Sequence, residues 1–119
     1  MTTVTLQGAL PAECAVDSQT NATATATLAA AGAGFKWRVI SWGASYSGAA
    51  VAVPVRATLA VGGVTRGFGV STTAPWNNNT APLDGTDNGT AVLTLAAGGV
   101  GAIGDVYLHA IRVSSTLGN

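Results

Sequence analysis

The sequence predicts an all-β protein, an antiparallel β-sandwich, and three observations predict it. Several segments alternate apolar with small or polar residues at a period of two, the spacing that sends successive side chains to opposite faces of a strand. Clusters of Gly, Pro, Asn and Asp separate those segments at short intervals, as turns do. No segment makes a credible helix.

The elements follow in chain order. Met1 to Asn21 reads as an arm: it lacks strong periodicity and holds Pro11, although Thr2 to Leu6 could pair as a short edge strand. The chain therefore divides into an arm over 1–21 and a single β-sandwich domain over 22–119. The domain opens with TNATATATLAAAGAG, where Ala alone would favour helix but strict alternation with Thr favours a strand, closed by Gly32 and Gly34. FKWRVISWGASYS is the strongest strand. Phe35, Trp37 and Val39 point one way and Lys36, Arg38, Ile40 and Trp42 the other, so the large residues change face near Ser41, which implies a twist, a bulge or burial on both sides.

VAVPVRATLAVGGVTRGFGVS reads as a hairpin turning on Gly62-Gly63, a register that pairs Val61 with Val64, Leu59 with Arg66 and Ala57 with Phe68. Pro54 cannot donate to a ladder, so an edge or a bulge is expected around it. TAVLTLAA and DVYLHAIRVS supply two further strands. Seven or eight short strands without a helix fit a two-layer sandwich of jelly-roll type, with its long loops at the two ends.

At 119 residues the chain is long enough to bury roughly two-thirds of its unfolded surface. Charged residues are only 8%, five basic and five acidic, scattered singly. That leaves no basic patch for nucleic acid and no polybasic stretch for an anionic membrane. A surface so poor in charge does little to keep copies apart, so self-association or docking on a larger assembly is expected. Cys14 is the single cysteine, which excludes an intrachain disulfide and a cysteine-rich metal site and leaves a small buried or idle thiol. The N-terminus lacks the basic and continuous apolar regions of a signal peptide, and no run of ~18 apolar residues reads as a membrane span.

The motifs that suggest chemistry fail on their context. Gly99, Gly101 and Gly104 form G-x-G-x-x-G after an apolar strand, but the crossover helix, second parallel strand and distant acidic residue of a dinucleotide fold have no room. GASYSG, Gly43 to Gly48, nearly matches a nucleophile elbow, with Ser45, Asp84 or Asp87, and His109 in hydrolase order, yet that elbow needs a much larger α/β sheet. His109 is the only histidine and the only good general base near neutral pH; Asp105 stands four residues away on its strand, ~13 Å at strand rise. Such a histidine, beside Tyr107, reads as a packed or interface residue. DGTDNG touches an EF-hand pattern at Asp84, Thr86, Asn88 and Gly89, but Leu95 stands where the bidentate Glu belongs. No enzyme activity, cofactor or metal is expected.

Trp76 heads the run WNNNTAPLDGTDNG, outside any strand the pattern draws. An aromatic beside amides suits a contact with a sugar or a protein, whereas folding back would make it a cap on its own sandwich. Trp76, Asn77, Asn78, Tyr107 and His109 are the candidate interface residues, with Trp76 as the anchor.

FKWRVISWGASYSGAA, the mid-chain hairpin and AVLTLAAGGVGAIGDVYLHAIRV together resemble small jelly-roll virion proteins of tailed bacteriophages, over roughly Phe35 to Ser114. The resemblance implies a capsid decoration or cement protein, made in the host cytoplasm and carried on the virion. It would act as a homotrimer that binds the major capsid protein or other virion proteins and stabilises the head lattice. It transfers no functional residue position by position. The alternative is a receptor- or carbohydrate-binding module of a tail fibre, suggested by Trp76 and its asparagines.

Overall fold

The structure is a computed structural model and describes residues 13–78 and 82–116. Its strands are β1 (Glu13–Thr20), β2 (Ala24–Leu28), β3 (Phe35–Gly48), β4 (Val55–Val61), β5 (Val64–Val70), β6 (Trp76–Asn78), β7 (Leu83–Asp84), β8 (Ala91–Leu95) and β9 (Ala102–Ser114). One sheet runs β1-β9-β3-β6, with β7 also on β3, and the other runs β2-β8-β4-β5. Every strand pair is antiparallel.

β6 pairs with Trp42 to Ala44 and β7 with Arg38 and Val39, so the two follow one another along a single edge of β3. Counted as one strand position, they turn the sheets into 1-8-3-6 facing 2-7-4-5, the winding of a jelly roll. This split edge is why nine strands stand where seven or eight were expected.

The start of the sandwich lies earlier than the sequence pattern placed it. Residues 13–20, assigned to the arm, form β1 and pair with β9 along their whole length, from Glu13 opposite Ala110 to Thr20 opposite Ile103. The edge position explains the weak pattern: β1 has one neighbour, and its inward residues include Asp17 and Gln19 rather than large apolar groups. Thr2 to Leu6 lies outside the described residues.

β3 and β9 form the spine of their sheet. The ladder pairs Val39 with Ala110 and then Ser41 with His109, which leaves Ile40 as the extra residue of a β-bulge. The bulge resets the phase of β3, so Trp37 and Val39 before it and Trp42, Ala44 and Tyr46 after it all face the core. Without it, period two would send Trp42 to solvent. The β4–β5 hairpin has the expected register, Val61 with Val64, Leu59 with Arg66 and Ala57 with Phe68. Pro54 stands just before β4, where no ladder bond is asked of it.

Leu59, Leu93, Leu95, Leu108, Val39, Val61 and Val70 fill the space between the sheets around Trp37, whose indole N–H donates to the Ala29 carbonyl at 2.8 Å. Alanines line much of the rest, which lets the sheets approach closely. Two contacts close the sides. On one, the Trp76 and Phe68 rings stack at 4.8 Å between the β6 and β5 edges. On the other, an Asp17 carboxylate oxygen accepts the Thr25 backbone N–H at 2.9 Å, joining β1 to β2.

Candidate functional site

Two surfaces stand out, one on a sheet face and one at an end of the sandwich. The first is the outer face of the β1-β9-β3-β6 sheet. Residues opposite one another in an antiparallel pair share a face, so the register lays out three rows. Val16, Tyr107, Gly43 and Asn77 make the central row; Ser18, Asp105 and Ser45 lie on one side, and Cys14, His109 and Ser41 on the other.

The central row is built around a glycine. A Cβ on Gly43 would fall 2.3 Å from Tyr107 Cε1 and 2.9 Å from Cζ, so only glycine lets the Tyr107 ring lie across β3. The ring reaches β6, where the Tyr107 hydroxyl donates to Asn77 Oδ1 at 3.1 Å. The central row and the Ser18, Asp105 and Ser45 row, together with Pro75 and Trp76 at the rim, line a groove of about 730 Å³, and the Cys14, His109 and Ser41 row lies outside it. Its lining includes Asp17 and Asp105 but no lysine or arginine.

Of the candidate interface residues, Tyr107, Asn77 and His109 share this face. Trp76 lies on the opposite face of β6, paired with Ala44, and reaches the groove only at its rim, because its ring turns inward onto Phe68. It is still 38% exposed. Asn78 pairs with Trp42 through its backbone; its side chain lies outside what the structure describes. Sequence reading missed Cys14, Val16 and Ser18, which join this face only through the β1–β9 register. The cysteine is exposed and stands opposite His109.

The hydrolase-like set is scattered. Ser45 pairs with Asp105 and Ser41 with His109, so Ser45 and His109 stand four positions apart along the sheet, ~13 Å at strand rise. Asp84 is engaged elsewhere: its carboxylate accepts from Arg38 Nε at 2.8 Å and Nη2 at 3.0 Å and pairs with Lys36 Nζ at 3.1 Å. Those bonds from Arg38, reinforced by Lys36, hold the Asp84 carboxyl below its ordinary value against a partial burial that pushes it up.

The EF-hand-like turn serves the fold. Asp87 Oδ1 accepts from the Gly34 N–H at 2.9 Å and the Ser115 hydroxyl at 2.6 Å, and Asn88 Oδ1 accepts from the Gly32 N–H at 3.0 Å. The turn formers after Trp76 thus tie down the β2–β3 loop. The first two G-x-G-x-x-G glycines make the turn into β9, and Gly104 lies within that strand: Gly99 and Gly101 have φ of 114° and 81°, and the Ala102 N–H bonds to the Gly99 carbonyl at 3.0 Å. Among the described residues no group of three or more His, Cys, Asp or Glu could hold a metal ion.

The second surface is the end where β1–β2, β3–β4, β5–β6 and β8–β9 connect. The Ala49 N–H bonds to Gly101, Thr72 to Val51 and Asn21 to Ala102, which gathers these loops together. Their sequences are NAT, AAVAVP, STTAP and AAGGVG, without one charged residue. They carry the two most exposed large apolar side chains among the described residues, Val53 at 76% and Val100 at 87%.

No protein-family model matches the chain, and no curated protein matches it. Among solved structures it is similar to part of a ruminal GH26 endo-β-1,4-mannanase, with a TM-score of 0.39 and 11% identity over 84% of this chain. The chain spans 19% of that enzyme's length. A likeness this remote carries no argument about activity in either direction.

Proposed function

We propose that the chain is a non-enzymatic structural protein of a bacteriophage virion, a capsid decoration module that binds and stabilises the head lattice as a homotrimer. The charge-free end of the sandwich is the observation that carries this reading. Depletion of charge is the compositional mark of the buried centre of a protein interface, and projecting valines gain from being covered by protein rather than water. The resemblance of Phe35 to Ser114 to small jelly-roll virion proteins supplies the kind of assembly. The partners are then other copies of the chain and the major capsid protein. The scatter of Ser45, His109 and Asp84 favours a structural role over a catalytic one.

Heads from a phage deleted for this gene provide the test. Purified wild-type chain should rebind them to saturation, and a Val53→Asp/Val100→Asp variant should fail to rebind while keeping its β-sheet circular dichroism. Heads that take up no wild-type protein would refute the role.

A further inference from the structure

We propose that the groove on the outer face of the β1-β9-β3-β6 sheet is a binding site for a neutral carbohydrate. Tyr107 would serve as its stacking platform and Asp105 as its hydroxyl acceptor. The proposal is independent of the oligomeric state.

Four features carry it. The groove, at about 730 Å³, has the size of a small-ligand site and room for more than one sugar ring. Its aromatic is fixed in advance: Tyr107 lies across Gly43 and its hydroxyl is tied to Asn77, so little rotamer freedom remains to be lost on binding. The half-buried Asp105 carboxylate makes no hydrogen bond or ion pair with any described residue. It sits between Ser18 and Ser45 in the neighbouring row, which brings an acceptor and two hydroxyls beside the ring.

This combination selects the ligand class. A carboxylate accepts from two vicinal hydroxyls at once, hydroxyls and an amide can both give and accept, and an aromatic ring packs on the C–H face of a pyranose. A groove with the Asp105 carboxylate on its face and no lysine or arginine in its lining disfavours phosphate, sulfate and uronic acid groups. The occupant that remains is an uncharged sugar chain. A guanidinium or amine from a protein partner would use the same carboxylate and ring, and the experiment separates it.

The test screens the full chain against an array of neutral and acidic glycans and measures the strongest ligands by isothermal titration calorimetry, with an arginine-rich peptide as the competing probe. A neutral glycan should bind. Asp105→Asn, which keeps the shape of the side chain, should weaken it at least tenfold, and Gly43→Ala, which displaces the Tyr107 ring, should weaken it at least as much. Both variants should keep the wild-type circular dichroism and melting cooperativity. Binding should also change Trp76 fluorescence, because the indole stands at the groove's rim.

Three outcomes would overturn the proposal. The first is no neutral glycan bound at millimolar concentration. The second is binding unchanged in a folded Asp105→Asn variant. The third is selective binding of the arginine-rich peptide, which would assign the groove to a cationic protein segment. A chain that binds sugar but not heads leaves this site standing and removes only the decoration role.

Discussion

Single residues set what each surface can do. Trp76 shows how a side chain that looks free in the sequence can be engaged in the fold. Stacked on Phe68 yet 38% exposed, it seals one side of the sandwich and also rims the groove. Trp76→Ala should leave a folded domain but cost about 2 kcal/mol, less than the 3–5 kcal/mol of a fully buried tryptophan. Urea unfolding measures that directly. The carboxylates give a second prediction. Asp84, held low by Arg38 and then Lys36, and Asp17, held low by the Thr25 N–H and then Gln19, both have folded values below their unfolded ones. As the pH falls through about 4, the unfolded chain binds protons first, so the stability these groups contribute at neutral pH is lost progressively below that point. Denaturation midpoints measured from pH 7 to pH 2 should fall on the acid side. Asp84→Asn should lower the midpoint at neutral pH and flatten the fall.

Elements differ in how much of them the sequence reveals. The β4–β5 hairpin was legible to the residue because Gly62-Gly63 leaves one register that keeps Leu59 and Val61 inside. The β3 bulge was legible as a change of face near Ser41, though not as Ile40 itself. Deleting Ile40 should straighten β3 and keep Trp42, Ala44 and Tyr46 inward with cooperative thermal unfolding retained, whereas deleting both Ile40 and Ser41 should turn them outward or force β3 to slip and abolish that cooperativity. β1 and β6 were not legible, for related reasons. An edge strand needs only one good partner, and β1 faces the interior with Asp17 and Gln19, while β6 is three residues long amid turn formers. Removal of residues 1–12 should leave melting cooperative, whereas removal of 1–20 strips β1 from β9 and should lower the melting temperature by several degrees or more. The outer sheet face that carries the groove was half legible. Tyr107, Asn77 and His109 could be named as polar or aromatic residues without a core role, but their meeting with Ser18 and Cys14 depends on pairing across some ninety residues.

At the scale of the molecule, the winding of the jelly roll sorts the loops into two groups, and the composition of each group gives the ends different characters. One end holds Asp87 and Asn88 in hydrogen bonds that fasten its loops to one another. The other holds alanine, valine, glycine and threonine, with Val53 and Val100 projecting from a body of 47 × 32 × 23 Å. That asymmetry is the basis for proposing that copies meet through the charge-free end and leave the sheet face with Tyr107 and Asp105 open to another ligand. Sedimentation velocity at micromolar concentration, comparing wild type with Val53→Asp/Val100→Asp, tests the claim most directly. The proposal predicts a trimer for the wild type and a folded monomer for the variant; a monodisperse wild-type monomer, or a variant that still sediments as a trimer, would contradict it.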